Sequence, residues 1–146
     1  MNTYKKTDSL CTTDAAYIAG LIDGEGTVTL TRKHKNEHRQ LCVSISSTEI
    51  ELLEFVLSAT GVGKITNKHA SKSHHSHSYA YAVYNRQALA LLEQTLPYLK
   101  SYKRDRAALI LKNYLTVTPS NGKYTTEILA KKEIFEQRVL SIKANS

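Results

Sequence analysis

The chain has 146 residues, enough for one domain around one core. Lys plus Arg number 20 against 13 Asp plus Glu, a formal charge of +7 that points to an anionic partner, nucleic acid first, although an RNA-binding or ribosomal-type protein would share this balance. The two cysteines, Cys11 and Cys42, form no CxxC pair, which argues against a zinc ribbon and for free thiols in a reducing compartment.

No apolar signal core opens the chain and no 18-residue apolar run occurs, so a soluble, intracellular protein without a membrane span is expected. Thr12 or Thr13 can cap a first helix that continues from Ala15 to Asp23 and is stopped by Gly24 and Gly26. Ala16 and Gly20 share one face of it, which would let another helix approach closely. Tyr17, Ile18, Leu21 and Ile22 make it apolar nearly all round, so burial on most sides is expected. Glu25 then falls just past the negative end of the helix dipole. A carboxylate is disfavoured there by up to about 1 kcal/mol unless a cation joins it. Glu25 and the carbonyl of Gly24 are hard oxygen ligands suited to Mg²⁺, and a solvated glycine-rich turn is the alternative.

From Thr27 the pattern has period two, with Val28 and Leu30 on one side and Thr29 and Thr31 on the other. A charged turn carrying Lys33, Lys35 and Arg39 leads to Gln40–Ser46. There Leu41, Val43 and Ile45 face one way and Gln40, Cys42, Ser44 and Ser46 the other. Thr48 opens a second helix with a capping box to Glu51 and a stop at Gly61. Two more strands, GKITNKH and SYAYAVYN, are joined by a His/Ser loop containing His69, His74, His75 and His77. No three-ligand metal set is obvious in that loop, and it reads as a solvated hairpin tip. Tyr79 and Tyr81 share the side of Val83 and read as core. RQALALLEQTLPYL is helical until Pro97, KRDRAALILKNYL forms a further helix, and Thr125 or Thr126 opens the last one. The order is αββαββα plus C-terminal helices, an α+β fold with an antiparallel sheet. A single domain over 1–146 is expected, with a core at about 12–118 and a helical extension at about 124–144.

Tyr17-Ile18-Ala19-Gly20-Leu21-Ile22-Asp23-Gly24-Glu25-Gly26 resembles the LAGLIDADG motif of homing endonucleases. The element order is similar to that family along nearly the whole chain. One motif copy resembles the members that act as homodimers. The resemblance implies a saddle-shaped sheet and a sequence-specific endonuclease that breaks both DNA strands with Mg²⁺ or another divalent cation. It implies metal binding at Glu25 and the Gly24 carbonyl, a more structural acid at Asp23, and a dimer seam along Ala16 and Gly20. Ser47 stands where many members place a water-positioning Gln, and Ser is too short to reach as far. The basic active-site residue corresponds to Lys103 when counted from Ala107. Counting from Pro97 selects Tyr102 instead, and Arg104 and Arg106 are alternatives. The polar strand faces are the candidate double-stranded DNA surface: Thr29, Thr31, Lys33, Lys35, Arg39, Gln40, Ser44, Ser46, Lys64, Thr66 and Lys68, with Arg86 as a phosphate contact. An ordinary solvated sheet face is the competing reading. A non-cleaving nucleic-acid-binding module, such as an intron maturase or a regulator, is the competing function.

Overall fold

In the computed structural model, residues 4–68 and 77–144 are described. The elements run α1 (Thr12–Glu25), β1 (Gly26–Thr31), β2 (Gln40–Ser47), α2 (Ile50–Thr60), β3 (Lys64–Lys68), β4 (Ser78–Tyr84), α3 (Asn85–Thr95), α4 (Tyr102–Asn113) and α5 (Thr126–Ser141). Short 3-10 turns follow α3 and α4. All pairings in the sheet are antiparallel and the strand order is β1-β2-β4-β3. The αββαββα reading therefore holds.

Each strand puts alternate side chains toward the helices. Val28, Leu30, Leu41, Val43, Ile45, Tyr81 and Val83 are buried and pack with Ile18 and Ile22 of α1 and with α2, α3 and α4. Burying a side chain of this size contributes about 1.5–3 kcal/mol. Tyr81 is fully buried and its hydroxyl donates to the Val62 carbonyl at 2.7 Å. Gly63 lies under that ring with φ 99°, where a Cβ would come within 2.6 Å of it. Only glycine meets both demands.

Several local boundaries differ from the sequence reading. Helix α1 begins at Thr12 behind Cys11, with no side-chain cap, so neither Thr12 nor Thr13 caps it. Gly24 does not stop the helix, which runs through Glu25; Gly26 ends it, its N–H bonding to the Ile22 carbonyl. A Cβ on Gly26 would meet the Ile22 backbone at 2.8 Å, so glycine lets β1 leave the helix at once. Thr48 and Glu51 form no capping box. Helix α2 starts at Ile50, and the Ser47 hydroxyl accepts from the Glu49 N–H at 3.0 Å to shape the turn instead. Gly61 does end α2, in the left-handed conformation at φ 69°. Thr125 caps α5 by accepting from the Ile128 N–H.

The strands span five to eight residues, and the longest, β2, extends about 26 Å at roughly 3.3 Å per residue. Residues ahead of α1 form a strap over α2 and α3. Asp8 N–H donates to the Thr60 carbonyl, and the Gln87 and Gln94 side chains bond the strap backbone. Cys11 is exposed, Cys42 is buried, and both are free thiols. No described helix is long and apolar enough to cross a membrane.

Candidate functional site

Helix α1 is two-sided, not buried nearly all round. Ala15, Ile18, Ala19 and Ile22 face the core, while Ala16, Tyr17, Gly20, Gly24 and Glu25 face solvent. Ala16, Gly20 and Gly24 recur every four residues and form one stripe. A Cβ added at Gly20 or Gly24 would meet nothing within 4 Å. Nothing among the described residues requires glycine at those two helical positions, where it is less favourable than alanine by about 0.8–1 kcal/mol each. Tyr17 flanks the stripe, 46% exposed, and packs edge-on against Phe55.

The C-terminal end of α1 meets the N-terminal end of α4. The Asp23 carboxylate accepts from the Lys100 N–H at 2.8 Å, the Ser101 N–H at 3.0 Å and the Ser101 hydroxyl at 2.5 Å. Partial burial pushes its pKa up, but those hydrogen bonds and the Lys103 charge outweigh it and hold the carboxyl below its usual range. Lys103, only 8% exposed, returns from α4 and donates to the Ile22 and Asp23 carbonyls, both at 2.9 Å. Burial lowers its pKa, against the opposing charges of Asp23 and Glu25. A cation here complements the negative end of the α1 dipole.

Glu25 remains outside this knot. Its side chain is exposed and makes no hydrogen bond or ion pair among the described residues. It lines an open hollow with Ser46, Ser47, Thr48, Glu49 and Ser78. Ser47 is thus brought near Glu25. The described residues hold no group of three or more His, Cys, Asp and Glu side chains able to bind a metal. Glu25 offers a cation an exposed carboxylate at the end of a helix, with Glu49 on the rim of the same hollow.

Of the other basic candidates at the start of α4, Arg106 is buried. It donates to the Val28 carbonyl at 2.9 Å and the Ile142 carbonyl at 2.7 Å, tying β1 to the residue after α5. Arg104 is exposed, and Tyr102 lies beneath the Lys103 and Arg106 cations.

The outer sheet face carries the polar strand residues in cross-strand rows. Thr27, Ser44, Ala82 and Lys64 form one row; Ser46, Ala80 and Thr66 form another; Thr31 sits opposite Gln40 and Thr29 opposite Cys42. Lys68 donates to Ser46 at 3.0 Å. Lys33 and Lys35 are exposed on the β1–β2 turn. Arg39 is not free to lie on this face: its Nε pairs with Glu136 of α5 at 3.4 Å. Gln40 accepts from Asn85 at 3.1 Å, and Arg86 donates to the Thr118 carbonyl at 3.3 Å.

Ala80, Ala82 and Tyr84 also belong to the outer face. The alternation that buries Tyr81 and Val83 carries that signal. Tyr84 is 43% exposed and lies beside the Cys42 thiol, whose pKa burial pushes up against a hydrogen bond with the Tyr84 hydroxyl. His69, His74 and His75 lie outside the described residues; His77 packs near Tyr79, ring centroids 6.2 Å apart.

The profile of the LAGLIDADG-like domain matches residues 12–97, more than half of the chain. The fold is similar to that of the homing endonuclease I-CvuI solved in complex with its target in the presence of Ca. The TM-score is 0.72 at 17% identity, covering 92% of this chain and 85% of that one. The group I intron-encoded homing endonuclease I-CeuI, complexed with DNA, gives 0.67 at 15% identity, covering 90% and 68%. The LAGLIDADG homing endonuclease I-GzeII, in complex with a DNA target, gives 0.66 at 17%, and the match covers 94% of this chain but 47% of that one. A search of curated proteins finds no significant sequence match.

Proposed function

Because the chain belongs to the LAGLIDADG-like domain family, we propose that it is a site-specific DNA endonuclease of the homing, intron-encoded type, acting as a homodimer with a divalent cation. One observation carries this reading. The exposed carboxylate of Glu25, without a hydrogen bond or ion pair among the described residues, ends the same helix whose exposed face is the open stripe of Ala16, Gly20 and Gly24. A second copy packed on that stripe about a two-fold axis brings two Glu25 side chains together, one for each strand of a duplex. Covering 47% of I-GzeII is what a unit that works beside a second domain of similar size would do.

The residues present fit a hard cation. Glu25 and the Gly24 carbonyl would hold Mg²⁺ or a similar ion, with the remaining ligands from water, phosphate and the second copy. When bound, the ion would activate water and neutralise charge at the scissile phosphate. The chain's own residues set the stage: Asp23 and Lys103 fix the end of α1, and so the starting position of Glu25. The outer sheet face, with Thr29, Thr31, Ser44, Ser46, Lys64, Thr66 and Lys68, lies against the major groove, with Lys33 and Lys35 at its end.

A dimer with this symmetry reads a roughly palindromic site. Carboxylates near the dyad reach phosphates facing each other across the minor groove, which in B-DNA are offset so that the cut leaves short 3′ overhangs. The test is incubation with a library of duplexes plus Mg²⁺ and sequencing of the cut ends. Cuts in one pseudo-palindromic class, abolished by chelation, support the reading. Tight binding to a site with no cut in Mg²⁺, Mn²⁺ or Ca²⁺ would favour a non-cleaving module instead. That alternative rests on Ser47, whose short hydroxyl is already engaged by Glu49.

A further inference from the structure

An open cleft of about 580 Å³ lies beyond the end of the sheet farthest from Glu25. Gln40 and Tyr84 line it, and both also stand on the outer sheet face, so face and cleft form one continuous surface. From the Gly26–Ile45 pair beside Glu25 to Gln40 is five residues along β2, roughly 17 Å at 3.3 Å per residue. No Asp or Glu lines the cleft, whereas Arg39, Arg86 and Lys132 do.

Lys132 is the unusual member. It is 4% exposed, yet no carboxylate lies within ion-pair distance among the described residues. Its ammonium has one long hydrogen bond, 3.4 Å to the Thr118 hydroxyl, and sits 5.4 Å from the centre of the Tyr124 ring. A buried cation so thinly partnered is costly unless an anion joins it. Arg86 reaches the same spot from α3, bonded to the carbonyl of the same Thr118. Arg39 is already neutralised by Glu136, so the free positive charge of the cleft belongs to Lys132 and Arg86.

We propose that this cleft seats a backbone phosphodiester of the DNA duplex just beyond the sheet-bound half-site, with Lys132 and Arg86 taking the phosphate and Tyr84 and Tyr124 packing against its sugar. The proposal rests on the DNA-binding reading above. It adds a second anchor per protomer, contributed by the C-terminal helix and independent of the Glu25 centre. Such a contact positions the duplex and carries no sequence information.

The experiment is the salt dependence of binding to a fluorescent 30-base-pair random-sequence duplex without divalent metal. The wild type is compared with Arg86→Ala, Lys132→Met and the control Lys112→Ala, an exposed basic residue outside the cleft. Each phosphate contact removed lowers the slope of log K against log salt by about 0.9. Arg86→Ala and Lys132→Met are each expected to lower it, the two losses together coming to about that amount because they share one phosphate, with Lys112→Ala at the wild-type slope. Arg86 is exposed, so its variant keeps the test valid if Lys132→Met fails to fold. A wild type that binds with a slope unchanged in Arg86→Ala, or lowered equally in Lys112→Ala, overturns the cleft and leaves the endonuclease reading standing. A wild type that binds no duplex overturns both.

Discussion

Asp23 and Lys103 cap each other's helices. The Asp23 carboxylate takes the Lys100 and Ser101 amides at the start of α4, and the Lys103 ammonium takes the Ile22 and Asp23 carbonyls at the end of α1. Each side chain satisfies backbone groups that a helix end leaves open. The exchange fixes the end of α1, and with it the direction in which Glu25 leaves the fold.

Lys103→Met should therefore cost stability as well as activity. The buried Ile22 carbonyl and the half-buried Asp23 carbonyl lose a charged donor, worth about 1.5–3 kcal/mol. A lower urea midpoint together with slower cleavage is the expected result. Unchanged stability with cleavage lost would instead place Lys103 on the scissile phosphate.

Asp23 makes stability pH-dependent in acid. Its folded pKa lies below the ordinary value of 3.8, so its contribution is fully present above that value and lost as pH falls through the lowered one. Asp23→Asn should flatten the fall in melting temperature below about pH 4 relative to the wild type. An identical acid profile in the two proteins would show that the carboxylate gains nothing from its bonds.

Glu25→Gln should leave the melting temperature and DNA affinity close to wild type, because the carboxylate makes no hydrogen bond or ion pair among the described residues. Cleavage in Mg²⁺ should vanish, since the amide is a poor ligand for a hard cation. Wild-type cutting by the variant would move the metal site elsewhere.

Gly20→Leu separates folding from assembly. A Cβ there meets nothing within 4 Å, and leucine favours helix over glycine by up to about 1 kcal/mol, so the monomer should fold at least as well. Light scattering should show a dimer for the wild type and a monomer for the variant, with cleavage lost in the latter. A dimeric, active variant would show that the two α1 helices do not meet at this stripe.

The sequence alone carried the element order, the alternating strand faces and the motif around Glu25. Those signals are local: period-two and period-3.6 patterns and the small-residue run are written in consecutive residues. Burial of Tyr81 and the placement of the half-buried Thr29, Thr31, Ser44 and Ser46 on the outer face follow from the same alternation. Tertiary structure decided what depends on residues far apart in the chain. Lys103 and Asp23 are eighty positions apart, and no pattern in either segment shows that one caps the other's helix. Arg39 looks like a free cation until α5 brings Glu136 against it, and Lys132 looks like a solvated helix lysine until Thr118 and Tyr124 close over it. A charge's role is set by its partners and its access to water, and for these residues both come from packing between distant segments.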